Sequence, residues 1–156
     1  MRKPGVLLTV TAVAMLATTL VFASGIADKN VDFKKVKCVV NPKQAAKEAK
    51  AADYKGGKVY VCCGGCLGKF KKDPEKYSTM ANHQLVHTKQ YKQAKCPLSG
   101  GPSKAAHAVE VGGVKVAFCC GNCEGKVAKA KGKAQVDLVF GDKSFKKGFV
   151  SAAKKK

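Results

Sequence analysis

Eight cysteines fall into two sets of four. Tyr60-Val61-Cys62-Cys63-Gly64-Gly65-Cys66 is echoed by Ala117-Phe118-Cys119-Cys120-Gly121-Asn122-Cys123, and each cluster has one cysteine upstream, Cys38 and Cys96 respectively. Thiols at short spacing ahead of a helix are a means of gripping a soft metal ion, and thiolate-only sites select Cu(I), Zn(II), Hg(II) or Cd(II). Three sulfurs with an open edge suit transfer of Cu(I). Four closed sulfurs suit structural zinc. Adjacent cysteines diverge and chelate one ion poorly. Cys38, Cys62 and Cys66 therefore rank as primary ligands with Cys63 as a candidate fourth, and Cys96, Cys119 and Cys123 rank likewise with Cys120.

The elements that position these thiols are also duplicated. Cys38 to Cys62 is 24 positions and Cys96 to Cys119 is 23. Each copy has a Gly-Gly turn before its cluster, Gly56-Gly57 and Gly112-Gly113. Each has an apolar residue at the same place after it, Phe70 and Val127, and then a Leu-Val pair, Leu85-Val86 and Leu138-Val139. Lys89-Gln90-Tyr91-Lys92 and Lys143-Ser144-Phe145-Lys146 follow. A repeat this long indicates a tandem of small domains. Cys38-Val39-Val40-Asn41-Pro42 and Cys96-Pro97-Leu98-Ser99 have turn composition. The alanine- and lysine-rich run from Lys43 to Ala52 favours a short helix. Hairpins are expected at Ala52–Tyr54 with Lys58–Val61, and at Ala108–Val111 with Val114–Phe118. Helices follow at Cys66–Lys72 and Cys123–Lys131, stopped by Asp73-Pro74 and Gly132. Gln84–His87 and Gln135–Phe140 are expected as closing strands. The fold class is therefore small α+β: two tandem treble-clef-like modules of β-hairpin, cysteine knuckle, short helix and closing strand.

This pattern resembles the TRASH/YHS-like family of small cysteine domains associated with heavy-metal trafficking, resistance and sensing. The resemblance rests on Cys38, Cys62 and Cys66 with Phe70 and Asp73-Pro74-Glu75-Lys76-Tyr77, and on Cys96-Pro97, Phe118-Cys119 and Cys123. It covers residues 36–77 and 94–131. It implies one soft metal ion per module, Zn(II) or Cu(I). Val61 departs from the aromatic that the family carries before its second cysteine. The second copy lacks the phenylalanine and the Pro-x-x-Tyr segment, and both copies carry the additional Cys63 and Cys120.

A basic start, an apolar run from Val6 to Ala23 and small residues after it match an export leader cut before Ser24; an uncleaved membrane anchor is the alternative. The expected organisation is a leader over 1–23, a linker over 24–35, modules over 36–91 and 94–150, and a basic tail over 151–156. Lys92-Gln93-Ala94-Lys95 has the composition of a short linker. Losing Arg2 and Lys3 with the leader leaves 28 Lys+Arg against 10 Asp+Glu, a net charge near +18. That surface favours anionic polymers or membranes without specificity. Specific nucleic-acid reading is disfavoured because Arg2 is the only arginine. Domains of about 55–60 residues have marginal cores that metals or disulfides supplement.

An oxidising periplasmic or secreted location and an even cysteine count leave a disulfide framework open as a second reading. In that reading metal or disulfides only staple an adhesion module whose lysines bind a polymer. His83, His87 and His107 are weak ligand candidates. No carboxylate pair recurs and the Cys-x-x-Cys pairs lack a thioredoxin-like background, so an enzyme is not expected. The expected partners are a metal ion and another metal-handling protein or an anionic surface.

Overall fold

The computed structural model describes residues 31–153. The segment expected as a leader, the start of the expected linker and the three terminal lysines lie outside the described residues. The elements run β1 (Lys47–Tyr54), β2 (Gly57–Val61), α1 (Gly64–Lys72), a 3-10 turn (Glu75–Tyr77), α2 (Ser78–His87) and β3 (Tyr91–Gln93), then β4 (Lys104–Val111), β5 (Val114–Phe118), α3 (Gly121–Lys129), α4 (Gly132–Phe140), α5 (Asp142–Gly148) and β6 (Phe149–Ser151).

Each half begins with an antiparallel hairpin, β1 with β2 and β4 with β5. Both hairpins are closed by two-residue turns with positive φ at both positions. These turns are Lys55-Gly56 (50° and 76°) and Gly112-Gly113 (59° and 82°), the backbone that matches the twist of hairpin strands. The first turn is thus Lys55-Gly56 rather than Gly56-Gly57, and Gly57 opens β2. Both hairpins shift register at the same place, between Lys47 and Ala51 and between Lys104 and Ala108. The repeat therefore extends to an irregularity that composition does not show.

Two expectations are corrected. The segment Lys43–Ala52 is not a helix. From Lys47 onward it is β1, because pairing with the fully buried Val59 and Val61 strand outweighs the helix preference of alanine and lysine. The closing strands at Gln84–His87 and Gln135–Phe140 are helical, within α2 and α4. Ala81 and Leu85, four apart, sit on one face of α2 and are fully buried, as are Val139 and Phe140 of α4.

One continuous core joins the halves. It takes Val61, Phe70 and Leu85 from the first, and Phe118, Val127 and Phe140 from the second. Phe70 and Val127, the matched residues after each cluster, are both buried. Lys92-Gln93-Ala94-Lys95 is part of the body. Tyr91–Gln93 forms β3 against β6, and the N–H groups of Ala94 and Lys95 both donate to the Gly148 carbonyl at 2.8 and 3.1 Å.

Side-chain amides complete the hairpins. The outward N–H and C=O of Tyr60 bond to Gln84 at 2.6 and 2.9 Å, and those of Lys58 bond to Gln90 at 2.6 and 2.7 Å. Gln93, from the end of the first half, serves Ala117 of β5 in the same way. Each glutamine takes the place of a neighbouring strand, so the two-stranded edges are not left open. Asn82 adds a cross-link. It donates to the Phe140 carbonyl and to Asp142, both at 2.9 Å, and accepts from Lys55, which also pairs with Asp142 at 2.6 Å.

His83 and His87 lie on one face of α2 with ring centroids 5.8 Å apart. His83 Nε2 bonds the Gly112 carbonyl at 2.9 Å, and its ring meets Phe140 edge-on. A Cβ at Gly112 would stand 2.7 Å from that nitrogen, at a φ of +59°, so the contact requires glycine there. Burial, and then the neighbouring His87, hold His83 below its ordinary value. Burial and Lys35 do the same for His87.

Gln84→Ala strands the buried polar groups of Tyr60 and should cost about 2 kcal/mol, read from urea unfolding. A depressed histidine contributes stability that is complete above its unfolded value, near 6.5. That stability is lost as pH falls through the folded value. The urea midpoint should therefore drop between pH 7 and 5. It should drop less when His83 and His87 are both glutamine.

Candidate metal centre

Three segments deliver each cluster. In the first half, Cys38 sits in the turn before the hairpin, Cys62 directly follows β2, and Cys66 lies in the first turn of α1. Cys96, Cys119 and Cys123 hold the corresponding places around β5 and α3. The Sγ atoms of Cys38, Cys62 and Cys66 all lie within 4.8 Å of one another, as do those of Cys96, Cys119 and Cys123. The closest approaches are Cys62 to Cys66 at 3.5 Å and Cys119 to Cys123 at 3.7 Å. A tetrahedral ion with bonds of about 2.3 Å to sulfur sets its ligands roughly 3.8 Å apart, and a trigonal one roughly 4 Å. Both triads are therefore geometrically able to chelate one ion, and the described residues carry two such clusters.

Turn geometry places N–H donors on the upstream sulfurs. The Cys38 N–H donates to the Gln44 carbonyl at 2.9 Å and that of Gln44 to the Asn41 carbonyl at 3.0 Å. This leaves the Asn41 N–H to reach Cys38 Sγ at 3.4 Å. In the second half the N–H of Cys96 donates to Gly101 and that of Gly100 to Cys96, both at 2.8 Å. The Ser99 hydroxyl donates to Cys119 Sγ at 3.2 Å.

These contacts split the thiols by acidity. Burial opposes ionisation of Cys96, but the hydroxyl and N–H of Ser99 and the N–H groups of Cys119 and Leu98 prevail, holding it down at about 6. Cys38 is lowered in the same manner, with N–H groups of Asn41, Cys62 and Val40 overcoming burial. Cys66 and Cys123 go the other way. Burial and the neighbouring sulfurs push each up to about 12. A second or third negative charge is unfavourable in a triad that already holds one. An ion of the right softness removes that cost.

Cys63 and Cys120 are not members of the triads. Each is the residue before the helix, in extended backbone at φ −155° and −160°. Cys63 is exposed; Cys120 is half-buried with its sulfur 3.6 Å from Cys119 Sγ. The N–H of Cys66, its thiol and the Cys62 thiol lower Cys63, and the N–H of Cys123 heads the causes that lower Cys120.

Among the histidines, His83 and His87 serve the seam between the halves. His107 pairs with Glu124 at 2.8 Å beside the second cluster. The first copy has Lys50 and Leu67 at the matching places, so the pair is not a repeated part of the site. A cavity of about 410 Å³ opens against Cys123, lined by Ser99, Asn122 and Lys126 among others. Ser99, Asn41 and the three glutamines were not singled out from sequence. The only signal was a serine or asparagine three residues after each upstream cysteine, in turns already marked by proline and glycine.

No family model, curated protein or solved structure matches the chain. Among the described residues, no helix is long and apolar enough to cross a membrane.

Because Cys66 and Cys123 hold their protons to about pH 12, an ion entering either triad near neutrality must displace at least that one. Metal affinity should therefore rise with pH, gaining about tenfold or more per pH unit. Competition titrations with a chromophoric chelator at pH 6.5, 7.5 and 8.5 give the slope. A flat profile would mean that the triad thiols are not the ligands.

Proposed function

We propose that this is an exported soft-metal-binding protein that binds, buffers or hands over Cu(I)- or Zn(II)-type ions through cysteine thiolates, one ion per half. The observation that carries the reading is the twofold recurrence of a three-sulfur cluster with sulfurs within 4.8 Å. Chance rarely brings three thiols from a turn, a strand end and a helix start together once. Here the arrangement recurs with the same chain order. The ligands in this reading are Cys38, Cys62 and Cys66, and Cys96, Cys119 and Cys123. The order of turn cysteine, hairpin, strand-end cysteine and helix supports a treble-clef-like description and the kinship with TRASH/YHS-like domains suggested by the spacing.

Two features favour handling over a purely structural ion. Each triad offers three sulfurs rather than a closed four, and the second faces a cavity at Cys123. A three-coordinate thiolate site suits Cu(I) and leaves a position through which a partner's ligand can enter. The chain performs no catalysis in this account. Its partners are the ion and a metal-handling protein. The lysine-rich surface provides a weak general attraction to anionic surfaces. The alternative use of the same cysteines, as disulfide staples on an adhesion module, predicts a protein without bound metal.

Native mass spectrometry of mature protein, purified without chelator, should show two soft-metal ions and no disulfide mass deficit. Cys38→Ser and Cys96→Ser should each remove one ion and leave the other. A metal-free protein with a deficit of four disulfides would overturn the reading.

A further inference from the structure

The four thiols of the first half form a gradient of access. Cys63 is exposed, Cys62 and Cys66 are half-buried, and Cys38 is fully buried. A donor that carries its ion on a thiolate cannot present it first to Cys38. The only thiol of the four that stands clear of the body is the one outside the triad. Cys63 also adjoins the triad: the N–H of Cys66, and then the thiols of Cys66 and Cys62, lower its pKa. The second half repeats the chain order but not the exposure, since Cys120 is half-buried like Cys119 and Cys123. Cys120 lies outside its triad with its sulfur 3.6 Å from Cys119, and Cys96 is fully buried.

Neither thiol belongs to its group of three sulfurs within 4.8 Å of one another. Cys63 and Cys120 end the strand-to-helix turn in extended backbone, one residue after the strand-end ligand. Cys63 is exposed there, whereas Cys120 keeps its sulfur 3.6 Å from Cys119. The two glycines that follow, Gly64 and Gly65, leave the outer side of Cys63 open: a Cβ at Gly64 would meet nothing within 4 Å.

Resting on the proposed soft-metal reading, we propose that Cys63 is the entry thiol of the first site, and Cys120 that of the second. Each takes the ion from a thiolate-bearing donor and passes it inward to its triad. In the first step a bond forms between the ion and Cys63 Sγ, the bond between the ion and the donor sulfur breaks, and the Cys63 proton leaves with the donor as its thiol. In the second, Cys62 replaces Cys63 on the ion and its proton passes to Cys63. Cys66 and then Cys38 add to the ion to close the triad, each releasing any thiol proton it carries to solvent. No electrons are transferred; the first two steps each exchange one metal–sulfur bond for another, and closure adds two more.

The test uses Cu(I) presented as its glutathione complex to the mature chain and to the Cys63→Ser, Cys120→Ser double variant. Serine is a favoured residue ahead of a helix, so the variant keeps its fold. The double variant should still bind two Cu(I) ions with unchanged affinity. Its uptake from the glutathione complex, followed by stopped flow, should slow by on the order of tenfold, since exchange rate follows access of the attacking thiol. Uptake of Cu(I) from a thiol-free acetonitrile complex should slow less. Equal uptake rates from glutathione would overturn the proposal. So would a fall in affinity matching the fall in rate, which would make Cys63 and Cys120 resident fourth ligands. A mature chain that takes up no Cu(I) from either source would instead overturn the soft-metal reading beneath it.

Discussion

Three thiolates cannot share a space a few ångströms across without a cation between them. Two unit charges about 4 Å apart near a protein surface interact by roughly 4 kcal/mol, and each cluster brings three sulfurs within 4.8 Å. The acidity pattern shows the consequence. One thiol in each triad, Cys38 or Cys96, is supported as an anion by N–H donors, while its helix partner, Cys66 or Cys123, is held protonated. Full ionisation of either cluster waits for the ion. Amides of the upstream turn and of the strand end supply fixed positive poles for that anion.

Holding such clusters is a demanding task for so small a core. The chain meets it by fusing two repeats into one body rather than leaving two marginal domains. Leu85 and Phe140, from opposite halves, belong to one core, and β3 with β6 ties the middle of the chain to its end. Polar groups are used where strands are missing. Gln84, Gln90 and Gln93 each supply a donor and an acceptor to a hairpin edge, and so fix the strands that carry Cys62 and Cys119. A rigid strand end and the first turn of a helix then hold two sulfurs of each triad in register.

Sequence spacing was sufficient for the cysteine clusters, the hairpins and the presence of the two helices that follow the clusters, because each has a local cause; Gly132, expected to stop the second of these helices, instead opens α4 after α3 has ended at Lys129. A two-residue turn with glycine marks a hairpin, and a strand running into Cys-Cys-Gly marks a knuckle. The misread segments have non-local causes. Lys47–Ala51 carries a helix-forming composition and becomes strand only because it pairs with β2. Gln84–His87 and Gln135–Phe140 look like short apolar strands. The helical spacing of Ala81 and Leu85, and of His83 and His87, gains meaning only when their common face meets the other half. The drift in repeat offset hid this further, since the first half ends in α2 and β3 while the second ends in α4, α5 and β6. The exclusion of Cys63 and Cys120 from the triads is a matter of three-dimensional placement, which spacing alone ranks but does not fix.

X-ray absorption at the metal edge of the loaded protein addresses the central claim most directly, because it reads the atoms bound to the ion. The account predicts a first shell of sulfur alone, at about 2.3 Å for Zn(II), with three protein sulfurs per ion and two ions per chain. A first shell dominated by oxygen or nitrogen would place the ion elsewhere on the surface and contradict the assignment of Cys38, Cys62 and Cys66, and of Cys96, Cys119 and Cys123, as the metal centres.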